Sequence, residues 1–140
     1  MPDQLFDNKY GELEWRSLRF EWETLDTRDF QGTTVMNYAD LDAPYTRMHE
    51  FKHYHPERME PFNKEKTVIC REYPATYSKG DEAYYPVNDE RNNTLYIRYA
   101  EEAAKTPRLI LGGRLGSYRY WDMDKDVANA LHVFETQIRK

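Results

Sequence analysis

Cysteine is nearly absent: Cys70 is the single one in 140 residues. An intramolecular disulfide is therefore excluded, and with it the small secreted scaffolds that disulfides hold together. Long apolar runs are missing too. None approaches the roughly 20 residues of a membrane span, or the shorter core of a secretory signal. Both absences point to a reducing cytoplasm. Nor is there a block of one charge, because 20 Lys and Arg are interleaved with 25 acids for a net charge of −5. No basic face for non-specific nucleic-acid binding is expected.

What is present is a chain with 39% hydrophobic residues, enough for a real but modest core in one domain or a piece of a larger one. Aromatics make up 15%, with 12 tyrosines. Tyrosine joins apolar area to a hydrogen-bonding tip, which suits ligand grooves and ordinary sheet faces alike. Cys70 sits in "TVICREYP" with no matched His–Asp pair beside it, so it reads as a buried structural thiol and not a nucleophile.

The fold class read from the pattern is α+β. "SLRFEWETL" alternates, with Leu18, Phe20 and Trp22 on one face and Arg19, Glu21 and Glu23 on the other, as in a half-buried strand. "TTVMNY", "PYTRMHEFKHYH" and "KTVICREYP" read as further strands of an antiparallel meander, and residues 1–87 form a predominantly antiparallel sheet segment. Residues 88–140 then read as helix, strand, helix. Asn88 or Asp89 caps a helix to about Lys105, with Leu95, Tyr99 and Ala103 at helical spacing and Thr106-Pro107 to stop it. "RLILGG" is expected to be a short buried strand. Asp122 caps a last helix in which Val127, Leu131, Phe134 and Ile138 recur, with acids in the first turn and Arg139-Lys140 at its end, as the helix dipole favours.

One motif tempts. His49-Glu50-Phe51-Lys52-His53 fits the zinc-protease pattern H-E-x-x-H, which works only on a helix, where two imidazoles one turn apart share a metal. Flanking β-branched and aromatic residues and the nearby Pro56 favour an extended stretch, which would hold the histidines roughly 13 Å apart. A metzincin would require glycine and a third histidine where Pro56 and Met59 stand, although a later glutamate such as Glu72 leaves a different zinc set open. The preferred reading is polar residues facing the surface of a strand, with no metal.

"GGRLGSYRYWDM" runs from strand to glycine turn to helix start, and offers backbone N–H groups and an arginine to a bound cofactor; a plain tight turn with Arg114 in solvent fits it equally well. Taken with "NYADLDAPYTR" from Asn37, "REYP" from Arg71 and "GDEAYYPVNDERN" from Gly80, in that order, it makes nearly the whole chain resemble UDP-galactopyranose mutase. "SLRFEWETLDTRDFQG" upstream also looks like that family.

The resemblance implies a flavoenzyme that interconverts UDP-galactopyranose and UDP-galactofuranose for bacterial cell-surface glycans. Reduced FAD attacks the anomeric carbon there, and the protein supplies positioning and electrostatics. Carried over by residue, it makes Arg47 the arginine on the UDP diphosphate. Tyr85 and Tyr120 hydrogen-bond that diphosphate, Asn37 contacts substrate, and Glu72 and Asp122 are acids near the reacting centre. Asp122 can also serve simply as a helix cap. Arg114 contacts the flavin, while Met123, Asp124, Lys125, Asp126, Val127 and Ala128 form the helix start that approaches FAD through backbone amides.

The family's opening G-x-G-x-x-G loop occurs nowhere in these residues, nor does its helical substrate domain. The chain thus looks like the carboxy-terminal part of an FAD-dependent α/β enzyme, residues 88–140 returning to the FAD-binding domain. The implied partners are UDP-galactose and the missing amino-terminal portion. Catalysis by the fragment alone is not expected, whether it retains FAD is open, and exposed apolar surface gives it a route to homo-oligomers. The competing reading is a stand-alone nucleotide-sugar or carbohydrate binding module without catalysis.

Overall fold

The computed structural model describes residues 1–62 and 64–139. Lys140 and Asn63, the latter within the polar connection that follows Pro56, lie outside the described residues. The elements in order are α1 (Pro2–Leu5), β1 (Trp15–Leu25), β2 (Val35–Asn37), β3 (Arg47–Glu50), a 3₁₀ turn (Phe51–Tyr54), α2 (Met59–Phe62), β4 (Thr67–Thr76), β5 (Tyr85–Pro86), α3 (Glu90–Ala104), α4 (Gly113–Gly116), α5 (Met123–Val133) and a π-helical turn (Phe134–Ile138). The α+β class expected from the pattern is what forms. The chain divides into two compact units, residues 18–75 and residues 1–17 with 76–140.

The first of these units is sheet. β2, β3 and β4 make the expected antiparallel meander, but β1 lies beside β4, so the strand order is β2-β3-β4-β1. Period two decides what is buried: Met48 and Glu50 of β3 turn inward with Ile69 of β4, while Arg47 and His49 face the other way. Cys70 is buried as expected, and that burial pushes its thiol pKa up, with the Glu72 charge adding to the effect. β1 is less covered than its alternation suggests. Phe20 and Trp22 are exposed, and Trp22 finds its apolar contact by stacking on Phe51, ring centroids 4.9 Å apart.

In the other unit the first residues of β1 pair with β5, Trp15 opposite Pro86 and Arg16 opposite Tyr85. Its core is Leu13, Trp15, Leu95, Tyr99 and Tyr118. α3 begins at Asp89, whose side chain accepts from the Asn92 amide, and it buries the predicted Leu95, Tyr99 and Ala103. Tyr99 is fully buried; its hydroxyl donates to Gly11 O at 2.6 Å and accepts from the Tyr10 amide at 3.0 Å.

One expectation fails here. "RLILGG" is no strand: Arg108 adopts φ +64°, outside the extended region, and among the described strands none pairs with the segment. A short strand needs neighbours on the ladder, and without them the chain turns through Gly113 (φ +72°) into α4. The last helix does form, and its acids Asp124 and Asp126 stand in the first turn as expected. Its apolar repeat is not buried, however. Val127, Leu131, Phe134 and Ile138 are all exposed, because nothing in the described chain covers that face. No helix is long and apolar enough to cross a membrane among the described residues.

Candidate functional site

Three of the predicted residues share one rung of the sheet. Asn37 on β2 lies opposite Arg47 on β3, which lies opposite Glu72 on β4, so all three side chains rise from the same face. Asn37 Oδ1 accepts from Arg47 Nε at 3.1 Å, which fixes the guanidinium plane. Arg47 Nη1 stands 3.7 Å from Glu72 Oε2, an ion pair too long to be a hydrogen bond. The half-exposed arginine therefore keeps its terminal donors for a planar, multiply charged acceptor such as a diphosphate.

Glu72, only 6% exposed, has a second neighbour that the sequence reading did not place in the site: His49 Nε2, at 3.5 Å. His49 Nδ1 meets the Tyr54 hydroxyl at 2.9 Å, and its ring stacks on Phe51 and Tyr54. One signal could have found it, since His49 is two residues beyond Arg47 on a strand and so lies on the same face.

The "HEFKH" stretch is neither α-helix nor continuous strand. β3 ends at Glu50, and Phe51–Tyr54 turn in a 3₁₀ helix. The expectation of surface-facing polar residues on a strand is thus corrected for Glu50, which is fully buried because the alternation points it inward. Its carboxylate accepts from the Phe30 and Gln31 amides and the Thr67 hydroxyl. The two histidines part company. His53 Nε2 meets Asp29 Oδ1 at 3.1 Å and lies 3.6 Å from Glu50 Oε2, while His49 turns to Glu72. Asp29, Glu50 and His53 bring ligand atoms within 4.8 Å of one another, and their hydrogen bonds already account for that closeness.

The other unit gathers a second group. Arg114, on the single turn α4, lies over the Tyr85 ring at 5.2 Å and the Tyr120 ring at 4.7 Å, and the two rings are 5.3 Å apart. Of the two readings of this turn, Arg114 simply meeting solvent is set aside: its Nε and Nη2 are buried and find no hydrogen-bond partner among the described residues. Buried guanidinium N–H groups without acceptors are costly, so the arrangement calls for an acceptor from outside. Beside it, Gly112 and Gly113 leave open space where a Cβ would stand.

Asp122 does occupy the N-cap of α5, but its side chain makes no capping hydrogen bond; only its backbone oxygen receives the Asp126 amide, at 3.0 Å. The first N–H groups of the helix, from Met123 onward, consequently lack a side-chain cap and remain available to an anion or carbonyl. Met123, Asp124, Lys125, Val127 and Ala128 are exposed and Asp126 is half-buried. This set of partnerless donors around aromatic faces fits a flat, acceptor-rich, anionic cofactor such as a flavin.

The family model for UDP-galactopyranose mutase matches residues 1–120. The UDP-galactopyranose mutase of Mycoplasma pneumoniae is 39% identical over 133 residues, an overlap of 92% of this chain and 32% of that protein. The dTDP-fucopyranose mutase of Escherichia coli is 33% identical over 138 residues, 98% of this chain and 35% of that protein. A UDP-galactopyranose mutase of Mycoplasma genitalium is 36% identical over 129 residues, 89% of this chain and 31% of the relative. The chain therefore spans about a third of the length of the curated relatives it matches.

Proposed function

The chain belongs to the UDP-galactopyranose mutase family, and on that premise we propose that it carries the carboxy-terminal part of a flavin-dependent isomerase acting on UDP-galactose. Its role is ring interconversion between UDP-galactopyranose and UDP-galactofuranose for cell-surface glycans, in a cytoplasm where the buried Cys70 stays reduced. The observation that carries the reading is Arg114: a guanidinium beside two tyrosine rings whose buried donors have no acceptor among the described residues.

Within this proposal, Arg47 binds the diphosphate with its plane set by Asn37, and Tyr85 and Tyr120 offer hydroxyl donors to phosphate oxygens. Glu72 sits behind Arg47 at 3.7 Å, and the Asn37 hydrogen bond orients the arginine before substrate arrives. Arg114 and the uncapped start of α5, Met123 to Ala128, hold FAD, with Asp122 at the helix cap beside them. When bound, the reduced flavin supplies the nucleophile that displaces UDP from the anomeric carbon; the chain's own groups bind the leaving diphosphate and stabilise its charge.

The partner is the amino-terminal portion of a mutase, which supplies the dinucleotide loop and covers the apolar face of α5. The test is to join this chain in frame behind the amino-terminal two thirds of a relative. Flavin content is then read spectroscopically, and turnover of UDP-galactofuranose and of dTDP-fucofuranose is read under reducing conditions. A yellow protein that turns over the UDP sugar is expected. In it, Arg47→Ala loses a charge-assisted phosphate contact of about 2–4 kcal/mol, roughly 30- to 1000-fold in rate. A flavin-loaded protein inert toward UDP-galactofuranose, or one indifferent to Arg47→Ala, refutes the proposal.

A further inference from the structure

Resting on the reading of Arg47 as the diphosphate ligand, we propose that His49 is a positioning residue of that site: it holds the Glu72 carboxylate so that Arg47 stays free for the anion. Glu72 is nearly buried, and the neighbours its carboxylate has in the structure are His49 Nε2 at 3.5 Å and Arg47 Nη1 at 3.7 Å. A buried carboxylate needs donors, so these two N–H groups compete for it.

The hydrogen-bond roles around His49 follow from its partners. A carboxylate only accepts, so Nε2 must carry the proton toward Glu72. In the neutral ring Nδ1 is then the acceptor, and the Tyr54 hydroxyl at 2.9 Å donates to it. Stacking on Phe51 and Tyr54 restrains the ring plane. Glu72 thus sets the tautomer, Tyr54 completes it from the other side of the ring, and the acid so served does not draw Arg47 down onto the sheet. Without His49, the arginine is the side-chain donor left near the acid among the described residues, and each phosphate contact must be made against that pull. The role assigned to His49 is exerted through Glu72.

The experiment uses the 140-residue chain with UDP as probe. ¹⁵N spectra of the histidine rings report the tautomer, and shifts of the Arg47 Nε–H resonance report UDP affinity, with dispersed amide spectra checking that each variant folds. His49 is expected as the Nε2–H tautomer, with its Nε2 resonance moved by Glu72→Gln. UDP affinity is expected to fall about tenfold or more in His49→Phe, in line with losing a hydrogen bond to a charged group, and to stay within about threefold in His49→Gln, whose amide can still donate. In a Glu72→Gln background, where no charge is left to compete for Arg47, His49→Phe should change affinity by less than about twofold.

An equal loss from His49→Phe in both backgrounds, or no loss in either, overturns the inference. So does the Nδ1–H tautomer, or an Nε2 resonance indifferent to Glu72→Gln. A wild-type chain that gives no response to UDP refutes instead the diphosphate role of Arg47 in this chain, and the tautomer spectra then decide the His49–Glu72 coupling by themselves.

Discussion

Glu50 is the sharpest test of how the sheet is held, because it is fully buried and its carboxylate accepts from two backbone amides and a hydroxyl. Gln31 N reaches Oε2 at 2.8 Å, Thr67 Oγ1 reaches Oε1 at 2.6 Å, and Phe30 N is shared between the two oxygens. Glu50→Gln keeps the shape and replaces one oxygen by an amide donor. Thr67 can turn its hydroxyl to accept from that amide while the remaining oxygen still serves Gln31. The loss is then the difference between charge-assisted and neutral bonds, about 1–2 kcal/mol. Glu50→Ala leaves a buried hydroxyl and two part-buried amides without their acceptor, a cost of about 3–5 kcal/mol. Against a total stability of about 5–15 kcal/mol, the alanine change is severe and the glutamine change tolerable. Urea unfolding should read this as a midpoint lowered by about 2 M for alanine at an m-value of about 2 kcal/mol/M. Hydrogen exchange at Phe30 and Gln31 should accelerate before the rest of the sheet does. Alanine no worse than glutamine, or exchange unchanged at those two amides, would mean that the carboxylate does not fasten the 29–32 turn.

Other outcomes follow from the same structure. The 140-residue chain alone should show no conversion of UDP-galactofuranose under reducing conditions, since it holds no dinucleotide loop to orient a flavin; turnover by a preparation free of full-length enzyme would defeat this. Hydrogen bonds from Lys9, then Tyr10 and Lys105, lower the Glu102 pKa from the ordinary 4.5 to about 2. A depressed carboxylate contributes stability above its unfolded pKa and loses it as pH falls through the folded one, so Glu102→Gln should melt lower at pH 7, with the gap closing between pH 4.5 and 2. A gap unchanged at pH 2 would contradict the pairing. On α5, Leu131→Glu should leave the fold of the chain intact and reduce its self-association in sedimentation, because that side chain is 62% exposed; a lower melting temperature would reveal packing that the structure does not contain.

The parts of the fold legible in the sequence were those whose signals are local. α3 announced itself by a capping residue, a buried stripe at Leu95, Tyr99 and Ala103, and a proline stop, all of which act within one element. The rung Asn37–Arg47–Glu72 was legible only as separate motifs, because register depends on where the turns close, and no pattern of alternation states which residue faces which. "RLILGG" misled for a related reason. A short apolar run says that it prefers burial but not whether a ladder exists to receive it, and none of the described strands does. His49 reads along the chain as a metal ligand or a surface-facing strand residue, because a five-residue pattern does not state which residues of neighbouring strands share its face.

The deficits of the unit formed by residues 1–17 and 76–140 bear on whether it is a self-sufficient binding module. A module of that kind closes its core and satisfies its ligand-binding groups, or leaves them facing water. Here Arg114 has donors that are buried and unpaired, α5 has a start without a side-chain cap, and the same helix exposes Val127 and Leu131. Water can serve exposed N–H groups, but it relieves neither a buried guanidinium nor an apolar stripe. Polar and apolar deficits on neighbouring elements are met together by a cofactor and the protein surface that carries it, which is what a chain spanning about a third of its relatives would require. The Asn37–Arg47–Glu72 rung differs in kind. Its members hold one another, with the buried acid beside His49, and nothing from outside is needed to keep the arginine in place. On the proposed reading, phosphate recognition draws on a rung that this chain already assembles, and flavin binding draws on groups that await a partner.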